Sequence, residues 1–401
     1  MGKINHKTNR VLIFTLVGIL IILSPIPLNA QFSSNSSTQN KITFKGQLSA
    51  YTHYNPNNQY QWWNGARYIP QLNYQVPGKG KVLLDFEASA NIYGNLGMDG
   101  FKYSNAEGQI KPYRAWARIS ANQFELRAGL QKINFGSASM LRTLMWFDQV
   151  DPRDPLQLTD GVWGVLGRYY FLNNANIWLW MLYGNNNPKG WESINTHNSL
   201  PEAGGRIQYP AGKGEVAISY HYRVTDGRSI PQNNILEPQN YPDKIAENRI
   251  GVDAKFDWVV GWWAEASWTN MREDTGLLTN QHLLNIGADY TFAIGNGLTI
   301  TYEQLIASFD QEPFQFKEPV TFSAINAMYP SGLLDQFSII TYFDWTNKSP
   351  YFFINWQRQF NKLTLNLMGY TNPKEYRIPS QNRAQNLFAG TGIQLMLIYN
   401  H

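Results

Sequence analysis

Arg114-Ala-Trp-Ala-Arg-Ile-Ser-Ala-Asn-Gln-Phe-Glu-Leu-Arg-Ala-Gly129 decides the fold. If Ala121-Asn122 is a two-residue turn, the flanks fold back on each other as an antiparallel hairpin. Ala115, Ala117 and Ile119 then oppose Ala128, Leu126 and Phe124 on one face, while Arg114, Trp116 and Arg118 oppose Gly129, Arg127 and Glu125 on the other. A one-residue slip would mix the two sets, so the pattern specifies a pairing. One face is small and apolar. The other carries guanidinium and carboxylate groups.

The same period of two runs outward in both directions, and it reads as strand. Ile42, Phe44, Leu48 and Ala50 alternate with Thr43, Lys45, Gln47 and Ser49; Leu84, Phe86, Ala88, Ala90 and Ile92 alternate with Asp85, Glu87, Ser89 and Asn91. Val216 to Arg223, Arg249 to Phe256 and Asn285 to Phe292 follow suit, whereas no stretch sustains a helical period. Many runs reach about 10 residues, enough to cross a bilayer at a tilt, where strands of a soluble sandwich are nearer 5 or 6. Their apolar faces carry small residues in the middle and aromatics toward the ends, as a lipid-facing band with aromatic girdles does. A hairpin around Asn361-Lys362 behaves alike: Phe360 with Leu363 and Trp356 with Leu367 face out, Gln359 with Thr364 and Gln357 with Asn366 face in, and Arg358 falls on the lipid side close to the turn. The registers of residues 163–184 and 258–268 stay ambiguous, because both faces there are apolar or aromatic.

Composition agrees. Charged residues are only 15% of the 401, against roughly 25% in soluble domains, and 14 Trp, 23 Tyr and 21 Phe bring the aromatics to 14%. Disorder needs few aromatics and a large net charge. A helical membrane protein needs several apolar runs of about 20 residues, and only one run approaches this, at residues 11–23. Lys3, Lys7 and Arg10 precede that run, Pro25, Pro27 and Leu28-Asn29-Ala30 follow it, and the whole reads as a secretory signal peptide over residues 1–30. Those residues hold three of the 33 basic groups and none of the 29 acidic ones, so residues 31–401 carry 30 basic against 29 acidic groups, and the formal +4 falls to +1. A nucleic-acid reading, which needs a basic face, loses its support. Zero Cys excludes a lipid-modified cysteine and a disulfide framework.

The expected architecture is all-β: a transmembrane antiparallel β-barrel occupying residues 31–401 as a single domain, in the bacterial outer membrane. Short connections at residues 77–80, 121–122, 173–174, 211–214, 257–258 and 361–362 alternate with long ones at 94–109, 136–160, 184–201, 224–247, 309–319 and 371–383, the rhythm of short periplasmic turns and long extracellular loops. About 17 strands are clear, and the even-number rule asks for one more. Residues 320–328 supply it by pairing with residues 335–345 through a turn at 329–332. About 18 strands result, with 16 as the alternative if a marginal pair near residues 67–76 or 203–209 is loop.

Residues 113–171 resemble a known group. A strand ends in Gly129-Leu-Gln131, Asn134-Phe-Gly136 follows, and a long loop contains Asp151-Pro-Arg-Asp-Pro155. This is similar to the bacterial outer-membrane porin-like channels that include the alginate-export-type and phosphate-selective porins. The resemblance implies passive passage of small solutes, outer-membrane lipid around the barrel and insertion by the barrel-assembly machinery. Such barrels usually end in Phe, whereas Tyr399 lies two short of His401 here.

Alternation places Arg114, Arg118, Arg127, Arg168, Arg206, Arg223 and Arg249 on the inner wall as candidate pore-lining residues, with Glu125, Glu265 and Glu303 among the inward acids. Guanidinium rows favour anions, but Asp85, Glu87, Asp253 and Asp289 also face inward, so cross-strand pairing would leave a mixed, weakly selective wall. The loop at residues 136–160 is long enough to be functional, and Met140, Leu141, Leu144, Met145, Trp146 and Phe147 give it an apolar body. Folding into the barrel mouth would present Arg142, Asp148, Asp151, Arg153 and Asp154 at a constriction; packing as an outer cap satisfies the sequence equally well. No catalytic residues, metal site or cofactor are expected. His53, His197, His221, His282 and His401 lack metal-ligand spacing, and no Ser elbow or phosphate loop is present. The alternative function is a surface interaction or adhesion barrel with a blocked lumen.

Overall fold

The computed structural model describes residues 40–77, 81–230, 241–375 and 387–401. The expected signal peptide at 1–30 lies outside the described residues, as do parts of the connections at 77–80, 224–247 and 371–383. Eighteen strands follow one another: β1 Lys41–Tyr54, β2 Trp62–Pro77, β3 Leu83–Asp99, β4 Lys102–Ser120, β5 Phe124–Gln131, β6 Val162–Tyr170, β7 Asn176–Leu182, β8 Glu202–Ala211, β9 Gly214–Asp226, β10 Lys244–Asp257, β11 Gly261–Met271, β12 Asn280–Phe292, β13 Leu298–Asp310, β14 Val320–Pro330, β15 Asp335–Asp344, β16 Ser349–Gln359, β17 Leu363–Thr371 and β18 Thr391–Asn400. Each pairs antiparallel with its chain neighbours, and β18 pairs with β1, which closes the sheet into an up-and-down barrel. Closure removes both sheet edges from solvent along the shared length.

The strand completing the even number is present at residues 320–330, paired with β15, and residues 67–76 and 203–209 are strand too. The hairpin at residues 360–363 has the expected register, Gln359 opposite Thr364 and Trp356 opposite Leu367. Arg358 stays outside, pairs with Asp335 at 3.6 Å and lies over the Phe360 ring.

Three expectations are corrected. The opening hairpin turns at Asn122-Gln123, one residue later than expected, with the Ala121 N–H donating to the Phe124 carbonyl. Every cross-strand pair is therefore shifted by two: Ser120 opposes Glu125 and Arg118 opposes Arg127. A shift of two preserves the faces, which is why the alternation could not detect it. Residues 94–109 are not a loop but the upper arms of β3 and β4, paired up to Asp99 with Lys102. Finally, the turn before β15 falls after residue 330, with Ser331 donating to the Asp335 carbonyl.

Outward residues form an apolar belt. Ala88, Ala115, Ala117, Ala128, Ile250 and Val252 occupy its middle, and aromatic pairs mark both rims: Tyr74 with Phe86, Tyr169 with Phe171 and Phe256 with Trp262 at the short-turn end, Tyr54 with Trp62 and Trp268 with Phe314 at the long-loop end. His401 is tied to Gly46 by backbone hydrogen bonds in both directions, and its ring sits among Phe44, Tyr68 and Tyr399.

The hydrophobic core is inside the barrel and is built around the connection between β5 and β6. Met140 and Leu141 pack on inward residues of β13–β17, including Leu305, Phe322, Tyr351 and Phe353. Ile133, Phe135, Leu144, Trp146 and Phe147 pack on Val162, Leu166, Trp180 and Leu182 of the opposite side. This settles the ambiguous register of residues 163–184: both faces are apolar because the outer one meets lipid and the inner one meets this loop.

Candidate functional site

The connection between β5 and β6, residues 132–161, crosses the lumen rather than capping the barrel from outside. Its apolar residues would be exposed above the barrel, and burying them inside recovers about 1.5–3 kcal/mol for each large side chain. It is held by three adjacent wall strands. Glu265 on β11 accepts from the Ala138 N–H at 2.8 Å, from the Ser137 N–H and from the Thr143 hydroxyl at 2.9 Å. Glu303 on β13 accepts from the backbone N–H groups of Ser139 (2.6 Å), Met140 and Leu141 (2.6 Å) and from the Ser139 hydroxyl. Asn285 on β12 donates to the Leu141 carbonyl, and the Trp146 indole donates to Ser267. Glu265 and Glu303 thus face inward, with their oxygens taken up by the loop.

The loop's own charges also pair. Arg142 bonds Asp148, which is buried, and burial pushes the Asp148 carboxyl up from its ordinary value. Arg153 bonds Asp151 at 2.6 Å and lies between the Phe353 and Phe388 rings. Asp154 caps the Leu156 N–H, and burial raises its pKa too.

The seven inward arginines fall into two groups. Arg223 and Arg249 are buried beneath the connection of residues 183–201, and Arg206 is buried on the wall 5.1 Å from the Phe135 ring of the β5–β6 connection. Arg223 and Arg249 each pair with both Glu192 of that connection and Glu247 of β10, at 2.6–2.9 Å. Lys189 adds contacts to Glu192 and Glu202, and Arg206 is bidentate on Asp253. This is a clamp that fastens a second loop inside the barrel. Its loop members, Lys189 and Glu192, were not singled out from the sequence, although two opposite charges beside Trp191 in a long connection were a visible signal.

Arg114, Arg118, Arg127 and Arg168 form the other group, on adjacent strands β4, β5 and β6. Arg118 donates to Asp85 at 2.9 Å; Glu125 lies 3.5 Å from Arg118, 3.0 Å from Arg127 and 3.9 Å from Arg168. The guanidinium groups lie against aromatic rings: Arg127 is 4.6 Å from Trp116 and Arg168 is 3.8 Å from Trp178. Arg67 on β2, missed from the sequence because its strand was marginal, lies 5.3 Å from Tyr93. Arg114 donates to the Thr159 carbonyl and so ties the returning end of the inward loop to this wall. Five arginines (67, 114, 118, 127 and 168) and Lys111 against four inward carboxylates (Asp85, Glu87, Glu107 and Glu125) leave the arc at +2. The inner face of β14–β18 is rich in amides instead, among them Asn326, Asn355, Gln357, Asn366 and Gln394.

The histidines are held in local bonds. His53 bonds Tyr370 at 2.6 Å, His221 sits between the Trp180 indole and Glu202, and His282 accepts from the Phe314 N–H. Among the described residues no group of three His, Asp or Glu could hold a metal ion.

Closed antiparallel sheet, apolar belt, aromatic rims and inward loops together define the fold of a bacterial outer-membrane β-barrel. No family model matches the sequence, and no curated protein matches it. Among solved structures the barrel is similar to OccAB2 of Acinetobacter baumannii (10% identity, TM-score 0.53, 92% of this chain and 99% of that one). It is similar also to OccK7 (OpdD) of Pseudomonas aeruginosa (12%, 0.53, 91% and 99%). The outer-membrane protein OmpT of Vibrio cholerae, a trimer form, gives 10%, 0.51, 90% and 99%. At these identities the likeness is one of fold. The narrower resemblance to alginate-export-type and phosphate-selective porins rests on the motif at residues 113–171 alone.

Proposed function

We propose that the protein is an outer-membrane channel through which small solutes diffuse passively, with a preference for anions set along the arginine arc. One observation carries the reading: on the wall of β2–β6 the guanidinium groups of Arg67, Arg118, Arg127 and Arg168 are not hydrogen-bonded to an inward loop, as that of Arg223 is beneath residues 183–201, but lie 3.8–5.5 Å from aromatic ring centres on a wall of net positive charge. Stacking holds each planar fork in place without cancelling its charge, and rings of fixed charge bias which ions enter a pore. In this reading the short turns lie in the periplasm, the long loops face outward, residues 1–30 direct export, and barrel-assembly machinery inserts the chain.

The test is conductance of the purified barrel in a planar bilayer, followed by the reversal potential in a salt gradient. Stepwise conductance with an anion-preferring potential is expected, and Arg127→Gln with Arg168→Gln should move that potential toward zero. No conductance by a folded barrel would sink the channel; conductance whose selectivity ignores both substitutions would remove the anion preference.

A further inference from the structure

Glu265 and Glu303 stand out because they are buried, acidic and without a cationic partner within ion-pair distance among the described residues. The loop segment they hold, Ser137-Ala-Ser-Met-Leu141, has no charged side chain. Successive backbone N–H groups of residues 137–141 close around the two carboxylates, and hydroxyls of Ser139 and Thr143 complete the shell. A buried carboxylate is costly unless its acceptor sites are filled, and hydrogen bonds to a charged group are the strong ones. Each glutamate therefore needs the loop, and among the described residues these two carboxylates are the charged groups of β11–β13 that accept from the loop backbone. On the far side its end is tied by Arg114 to the Thr159 carbonyl.

The geometry points to Glu265 and Glu303 as the positioning residues that set the width of the passage: they fix how far residues 137–141 stand from the arginine arc, and so which solute sizes pass. This rests on the channel reading for its consequence, but its structural half is separable. Glu303→Gln keeps the size of the side chain while turning one oxygen into a donor that meets an N–H of the same sign. The loop should then leave the wall.

Two readouts test it. Because the chain has no native cysteine, Ala138→Cys, at a buried position that holds Glu265 through its backbone N–H alone, introduces a single thiol whose reaction with a maleimide reports release of the loop, conducting or not. Loss of one charged hydrogen bond should speed labelling about tenfold. In liposome swelling with neutral sugars of increasing size, Glu303→Gln and Glu265→Gln should admit a larger sugar than the parent. Should a glutamate variant fail to fold, Gly136→Ala breaks the same contact from the loop side: φ is +93° there and a Cβ would lie 2.6 Å from the Glu265 Oε1. Unchanged labelling and an unchanged size limit in folded variants overturn the proposal. Faster labelling in a barrel that passes no solute would uphold the tether and sink the channel.

Discussion

Single residues show where the barrel tolerates no change. Gly129 on β5 has φ +121°, and a Cβ there would sit 2.1 Å from the Ala115 carbonyl oxygen on β4. Gly129→Ala should therefore lose on the order of 1–3 kcal/mol through backbone strain alone, read as a lower unfolding midpoint in denaturant. Asp148 makes a pH-dependent claim. Burial raises its pKa in the folded chain above the ordinary 3.8, so the folded chain holds this proton more tightly than the unfolded one. The stability it contributes is fully present below 3.8 and is lost as pH rises through the raised value. Thermal midpoints recorded against pH should show the parent falling relative to Asp148→Asn as pH increases from that region. A parent that gains on the variant would contradict the assignment.

At the scale of elements, the clamp beneath residues 183–201 makes a prediction of its own. Glu192→Ala leaves Arg223 and Arg249 buried with one carboxylate between them, and breaking a buried pair in this way costs about 3–5 kcal/mol. Glu192→Gln should cost less, and equal unfolding midpoints for parent and Glu192→Ala would show that the clamp is idle. A second prediction concerns β4, which runs Lys102–Ser120 but meets β5 only from Ala115. Amides along the upper edge that point away from β3 should exchange with solvent far sooner than those of β12 and β13, paired on both sides; Lys102, Lys111 and Pro112 are the kind of residues that guard such an edge against strand addition. The strands themselves, their faces and the eighteenth member at Val320 were legible because lipid on one side and polar groups on the other enforce a period of two. Turn positions were not, since a shift of two residues leaves every face in place. Nor could alternation tell Arg127, on an open wall, from Arg223, under a loop: both point inward, and what separates them is Glu192, distant in sequence. Apolar inward residues such as Leu305 and Phe353 blurred the pattern for the same reason, because their partners are Met140 and Leu141.

For the whole molecule, the scarcity of charge follows from having two surfaces to satisfy. The outer belt excludes charge, and much of the inner charge is neutralised in pairs that fix two loops, so net positive charge survives chiefly on β2–β6. The two surfaces can be told apart at one depth. Ile354 and Asn355 are neighbours in the middle of β16; Ile354 points outward and is 40% exposed, while Asn355 points inward and donates to Asn366. A lysine in the midplane of a lipid-facing belt costs about 2–4 kcal/mol, because the ammonium must reach the headgroups or drag water with it. The same lysine in a watered lumen keeps its hydration and loses little. Ile354→Lys should therefore fall well below the parent in unfolding free energy measured in phospholipid vesicles, with Asn355→Lys close to it. Equal losses, or a larger one for Asn355→Lys, would mean that the belt does not face lipid at this depth, because for lysines at adjacent positions of one strand the main difference is the medium each side chain meets.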